Sequence, residues 1–126
     1  MIDNGRVLAL IPILVTLAAS SLELPIGTPT ADAGSRATFT FVRVVEDSRC
    51  PKGVQCVWEG DATIELRVSP DHGEPETVQL HLNARTAKNT IVRGLRIVLE
   101  RLDPYPENGR STDASAYRAV LAITPE

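Results

Sequence analysis

Alternation of apolar and polar residues gives the clearest structural signal in this chain. Between residues 58 and 68 every second residue is apolar or glycine, and the residues between them are polar. A period of two sustained over this length predicts a β-strand with one buried side and one solvent-facing side. The pattern places Trp58 on the buried side as a core anchor. Gly60 within the run indicates a bulge or a close approach of another backbone segment.

A second strand is predicted from composition, just before the two cysteines. Residues 37–46 are rich in β-branched and aromatic side chains, which favour the pleated conformation. Phe39, Phe41 and Val45 share one side of this run. Both sides are partly apolar, so we expect the strand to be largely covered.

Three later runs complete the pattern. Residues 76–83 alternate again and are expected to form an antiparallel hairpin with the Trp58 run. Residues 95–102 and 116–124 also alternate, and the last run carries Tyr117 as a second structural anchor. No segment has a convincing helical period. The predicted fold class is therefore all-β, a small antiparallel β-sandwich of five to seven strands, immunoglobulin-like or barrel-like.

The amino terminus carries a targeting pattern. Residues 7–19 are uncharged and apolar, but a membrane-spanning helix needs roughly 20 such residues. This length is typical of a signal peptide, which we place over residues 1–20; an uncleaved anchor is the alternative. Small residues offer two cleavage sites, at 18–20 and at 31–33, and we favour the first.

The segment after the signal peptide is predicted to be a flexible linker. Residues 21–35 are rich in proline, threonine, alanine and glycine and show no periodicity. The β-sandwich domain is then expected over residues 36–126, with no membrane contact in the mature form. The predicted location is outside the cytoplasm, in the periplasm or the extracellular medium.

The two cysteines, Cys50 and Cys56, lie between the first two predicted strands. An exported protein meets oxidising conditions, so an even cysteine count favours a disulfide. Redox-active pairs usually have two intervening residues, whereas this pair has five. A metal site would need more sulfur or imidazole ligands than this chain supplies. A structural disulfide is the preferred interpretation.

The charged residues around the cysteines allow two interpretations. Asp47, Arg49, Lys52 and Gln55 are candidates for a recognition tip, which makes this segment a possible binding loop. Alternatively, Asp47 accepts backbone hydrogen bonds at the turn, and Arg49 pairs with Asp47 or Glu59. We favour the structural role for the two charges, and core packing over ligand binding for the tryptophan.

No motif in the sequence indicates an enzyme. No serine or cysteine nucleophile comes with a convincing base, and no glycine-rich phosphate loop occurs, so we predict no catalytic residues, cofactor or metal. A surface cation site at His72 and His81 is the alternative to solvated histidines. The formal net charge of −3 provides no basic face for nucleic acid.

The segment DSRCPKGVQCVWEGDA, residues 47–62, resembles a motif of small exported bacterial proteins of uncharacterised function. Those proteins combine DSRCP and CVW-x-G-x-A with a late strand, a Pro-Tyr-Pro turn and a terminal strand that starts with tyrosine. The matching positions span most of residues 37–124, with the turn at 104–106 and the tyrosine at Tyr117. The resemblance implies export, a disulfide and a β fold, and it implies no activity.

These observations predict a non-enzymatic, exported β-sandwich that acts as a binding or envelope-associated module. Its expected partner is a protein or another envelope component of unknown identity. The alternative is a small metal-binding protein or enzyme that uses the region of His72 and His81.

Overall fold

A computed structural model describes residues 19–83 and 90–126, and within them the chain forms eight β-strands. They are β1 (Ser20–Pro25), β2 (Thr30–Ala31), β3 (Thr38–Asp47), β4 (Ala62–Ser69), β5 (Glu76–His81), β6 (Thr90–Val92), β7 (Leu95–Asp103) and β8 (Arg118–Pro125). A 3₁₀ turn covers Ala114–Ala116. One sheet has the strand order β1-β8-β7-β6 and the other β2-β3-β4-β5, with every pairing antiparallel.

The inner sides of the two sheets form one hydrophobic core. Its largest fully buried side chains come from both sheets: Leu24, Phe39, Phe41, Ile64, Leu66, Val68, Ile97, Leu102, Leu121 and Ile123. The predicted hairpin is present, since β4 and β5 pair along their length. The prediction of a small antiparallel β-sandwich is confirmed.

Two β-bulges in β3 change which of its side chains enter the core. The register with β4 leaves Val42 and Val45 without an opposite residue. Each unmatched residue reverses the alternation that follows it. As a result Val44 packs against the core, whereas Val45 is 37% exposed. The expectation that Val45 shares the buried side of the two phenylalanines is wrong for this reason.

The segment expected to be a linker belongs to the sandwich. β1 pairs with β8 along its whole length, and Leu24 is fully buried between the sheets. Residues 20–25 thus already belong to the folded domain, which was expected to start near Arg36. Composition gave no signal for this strand because it buries few apolar side chains, ends at Pro25 and is followed closely by Gly27. The predicted signal peptide lies outside the described residues, apart from its last two.

Within residues 19–83 and 90–126, no helix is long and apolar enough to cross a membrane. The two-residue strand β2 covers only the start of β3, so most of β3 forms an edge of its sheet. The long connection between β3 and β4 extends from one end of the sandwich, and it holds both cysteines. This connection, residues 48–61, is called the cysteine loop below.

Candidate functional site

The cysteine loop starts as an extension of the β3–β4 hairpin. The backbone N–H of Ser48 donates to the carbonyl of Asp61, and that of Cys50 donates to the carbonyl of Glu59. The predicted disulfide joins Cys50 to Cys56. The loop is therefore a hairpin that opens at its tip, where the disulfide closes a small ring.

Arg49 ties the base of the cysteine loop to the other sheet. Its guanidinium is buried and donates two hydrogen bonds to the carboxylate of Asp47, each 2.8 Å long. It also donates to the carbonyl oxygens of Leu102, at 2.7 Å, and Pro104, at 3.1 Å. The ring of Tyr105 lies 5.1 Å from the guanidinium carbon. Charge-assisted and bidentate contacts of this kind are among the strongest that a protein forms.

Asp47 connects Arg49 to a second anchor. The hydroxyl of Tyr117 donates to the Asp47 carboxylate at 3.0 Å, and Tyr117 is buried in the core, as predicted. Burial raises the pKa of Asp47, but the hydrogen bonds and charge of Arg49 outweigh it, so the pKa lies below its ordinary value. Burial, together with the bond to Asp47, raises the pKa of Tyr117. These shifts keep each group in its ordinary charge state at neutral pH, which suits a structural role.

The four residues of the predicted recognition tip have different environments. Asp47 and Arg49 take the structural role that we favoured, and Arg49 pairs with Asp47 and not with Glu59. Lys52 and Gln55 have exposed side chains. The backbone of Lys52 donates to the carbonyl of Pro106 and accepts from the N–H of Asn108, so its position is fixed. Of the four, Lys52 and Gln55 are accessible to a partner.

Trp58 lies on the surface, which corrects the prediction of a core anchor. It is 75% exposed, and Val57 beside it is 90% exposed. The reason lies at Gly60, which adopts a left-handed φ of 75°. A Cβ at Gly60 would overlap the carbonyl oxygen of Ser48, so the predicted close backbone approach is present. This conformation ends the alternation, and β4 begins at Ala62.

Asn83 holds the segment that follows Trp58. Its amide donates to the carboxylate of Glu59 and to the carbonyl of Gly60, both at 2.8 Å. Its backbone N–H donates to the carboxylate of Asp61 at 2.7 Å. Residues 59–61 are therefore held in position by Asn83, which lies just after β5, and these contacts do not depend on the disulfide.

Two shallow grooves meet along residues 59–61. The first, called the Trp58 groove, is lined by Ser48, residues 57–61 and Asn83. The second is bordered by Arg49, Leu82 and Tyr105, and Tyr105 is 44% exposed. Exposed aromatic rings thus lie on both sides of a polar, hydrogen-bonded segment.

The two histidines make separate contacts. His72 is almost fully exposed, and its ring lies 3.7 Å from the carboxylate of Asp71. His81 lies 2.9 Å from the hydroxyl of Thr63 and 3.2 Å from the carboxylate of Asp61. Among the residues that the structure describes, no three His, Cys, Asp or Glu side chains form a group that could hold a metal ion. The cation-site hypothesis gains no geometric support and stays a prediction.

Sequence reasoning missed two residues of this site, Asn83 and Tyr105. Both contact the cysteine loop from distant parts of the chain. Tyr105 donates to the carbonyl of Cys50 at 2.8 Å, and Asn83 donates to Glu59 and Gly60. The Pro-Tyr-Pro turn marked Tyr105 as part of the motif resemblance but gave it no role. No local pattern distinguishes Asn83 from other polar residues at strand ends.

Comparisons with protein-family models, with curated proteins and with solved structures find no match to this chain. The proposals below therefore depend on the geometry of the cysteine loop and its surroundings.

Proposed function

We propose that this protein is a non-enzymatic binding module that acts outside the cytoplasm and contacts its partner through Val57 and Trp58. The observation that carries the proposal is the 75% exposure of the tryptophan on a loop that is firmly held on both sides. Burying a large apolar side chain contributes roughly 1.5–3 kcal/mol to folding. Because Trp58 is exposed, this stabilisation is largely absent at that position. Tryptophan is enriched among the interface residues that contribute most of the binding energy.

The attachment of the cysteine loop supports the same proposal. Arg49 fixes the segment before the disulfide, and Asn83 fixes the segment after Trp58. A surface that is held in place before binding loses less conformational entropy when the partner docks. Such an arrangement suits recognition by a rigid tip. Lys52 and Gln55, on the same loop, supply polar contacts beside the apolar ones.

Export is part of the proposal, and the disulfide is consistent with it because stable disulfides persist in oxidising compartments. We further propose that the signal peptide is removed near residue 20. Cleavage at 31–33 would remove β1 and β2 and with them the fully buried Leu24. Cleavage at 18–20 keeps all eight strands and removes at most Ser20, the first residue of β1.

Capture from an envelope extract tests the proposal. The bait is the oxidised protein recovered from the periplasm of an expression host, compared with Trp58→Ser and with Val98→Ser. Val98 is a matched control, since it is 38% exposed on β7, in the other sheet. We expect a partner that binds the parent and the Val98 variant and is lost with Trp58→Ser. Equal recovery of every bound component by Trp58→Ser would refute the proposed surface.

A further inference from the structure

We propose that the Trp58 groove receives a cationic side chain of the partner, and that an arginine guanidinium fits it best. The inference rests on the proposed function and specifies the chemistry of the contact. Three observations support it: the indole of Trp58 is exposed, the carboxylate of Glu59 beside it is oriented, and the ionisable residues of the groove are acidic.

The indole supplies the face on which a cation stacks. Trp58 is 75% exposed and borders the groove, and Val57 beside it is 90% exposed. Tryptophan is the best of the aromatic side chains for attracting a cation to its ring face. The planar guanidinium also stacks on aromatic rings, which a compact ammonium cannot do.

The carboxylate of Glu59 supplies the opposite charge. Its neighbour Asn83 donates to one carboxylate oxygen at 2.8 Å, so the group is oriented, and Glu59 remains exposed to solvent. Among the described residues that line the groove, the ionisable side chains are Glu59 and Asp61, both acidic. The groove therefore favours a cation over an anion.

Arg49 does not reverse this preference, although it lies at the neighbouring groove. Its guanidinium is buried and its charge is balanced by Asp47, to which it is bound through two hydrogen bonds. Two further N–H groups bind the carbonyl oxygens of Leu102 and Pro104, so that four of its five N–H donors are engaged inside the protein. Arg49 is thus not available to bind an anionic ligand.

The alternative occupant of an exposed tryptophan is a neutral saccharide, and the polar groups of the groove argue against it. The hydroxyl of Ser48 is engaged by the backbone of Asp61. The amide of Asn83 donates to Glu59 and Gly60. Sugar hydroxyls can donate to the Glu59 carboxylate, but to accept a hydrogen bond from Ser48 or Asn83 they would have to displace these contacts. A guanidinium only donates, so the exposed carboxylate and the indole suffice for it.

A titration with two small probes of matched shape tests the inference. The oxidised full chain is titrated with N-acetyl-arginine methylamide and with the citrulline analogue, which is nearly isosteric but uncharged. Trp58 is the sole tryptophan, so its fluorescence reports directly on the groove. We expect saturable quenching with arginine and a response roughly tenfold weaker with citrulline. The amide NMR signals of residues 57–61 should shift in parallel.

Variants localise the binding. Glu59→Gln keeps an oxygen for Asn83 but removes the charge, and we expect it to weaken arginine binding about fivefold. Trp58→Leu, followed by the NMR shifts, should abolish saturable binding. Glu100→Gln is the matched control, because Glu100 is an exposed carboxylate on β7, and it should bind like the parent.

Three results would overturn the inference. Equal binding of arginine and citrulline would exclude recognition of charge. Absence of any saturable response would exclude the site, and a response to tri-N-acetylchitotriose without one to arginine would identify a saccharide platform instead. None of these results bears on whether a partner depends on Trp58 in the capture experiment, so the proposed function and this inference fail separately.

Discussion

The cysteine loop has two parts that are attached to the molecule in different ways. Residues 48–53 are tied to the opposite sheet and its turn through the side chains of Arg49 and Tyr105 and through the backbone of Lys52. Residues 55–58 make no backbone–backbone hydrogen bond with the part of the chain that the structure describes, and all of them are exposed. The disulfide is a covalent cross-link between the two parts, in addition to the backbone at Val54.

This difference indicates a division of roles. The first part determines where the loop sits, because the guanidinium of Arg49 is buried and the backbone groups of Cys50 and Lys52 pair with residues distant in sequence. The second part contributes little burial, so its residues are free to be selected for contact with a partner. The four predictions below test this division, beginning with the largest expected effect.

Replacing Arg49 by methionine should destabilise the protein by about 3–5 kcal/mol, since it leaves the largely buried carboxylate of Asp47 without its charged partner. The free energy of unfolding, measured by urea denaturation, gives the effect. Arg101→Met is the matched control: Arg101 also pairs with an aspartate two residues away, Asp103, but on the surface. That variant should lose less than about 1 kcal/mol. Similar losses in the two variants would contradict the anchoring role of Arg49.

The ion pair should also give stability a specific dependence on pH. The pKa of Asp47 in the folded protein lies below the ordinary value of 3.8, so the folded state favours the ionised carboxylate. Its contribution is fully present above the unfolded pKa and is lost as the pH falls through the lowered folded pKa. Neither Arg49 nor Tyr117 titrates in this range, because the pKa of each is raised from a value that is already high.

We therefore expect the parent to lose stability as the pH falls below about 4. Asp47→Asn should be less stable than the parent at pH 7 and should show a smaller loss in acid, so that the two proteins approach each other. Urea denaturation between pH 2 and pH 7 provides the comparison. A constant difference across this range would mean that the ionised form of Asp47 is not favoured by folding.

Removing the disulfide should have a moderate effect on stability and a local effect on order. Replacing Cys50 and Cys56 by serine opens a ring with a sequence separation of 6, which corresponds to about 2 kcal/mol in the chain-entropy model. Because the first part of the loop has its own anchors, the loss of order should be confined to residues 54–58. Melting curves and amide hydrogen exchange distinguish the two effects. An increase in exchange in β3 or β4 larger than the uniform rise that the lower global stability causes would show that the disulfide supports the sandwich as well.

Alternation and composition were sufficient to predict the sandwich and the β4–β5 hairpin. A strand that buries one side shows an apolar residue at every second position. In β4 these residues include Ile64, Leu66 and Val68, and all three are buried. The disulfide and Tyr117 were predicted for similarly local reasons. β1 was missed because an edge strand with Leu24 as its fully buried residue gives a weak local signal.

The exposed part of the loop was harder to predict because a period-two pattern does not show where a turn or bulge reverses it, although Gly60 indicated a close backbone approach. Trp58 keeps the parity of β4 in the sequence, but Gly60 turns the chain between them, and Val45 loses its parity at a bulge in the same way. The roles of Asn83 and Tyr105 depend on contacts across 24 and 55 positions of the chain, which no local pattern encodes.

The smallest effect is expected for Trp58→Ala, which should change the free energy of unfolding by less than about 0.5 kcal/mol. Its side chain is exposed, so its removal leaves no cavity and little apolar area returns to water. Phe41→Ala, which deletes a fully buried ring of β3, should cost about 3–5 kcal/mol in the same measurement.

The fluorescence of the folded parent should already have the long-wavelength maximum of a solvated indole. Blue-shifted emission, or a loss comparable to that of Phe41→Ala, would place the ring in the core. Loss of partner binding without loss of stability would assign Trp58 to the contact surface, because the two properties separate only when the side chain lies outside the packed interior.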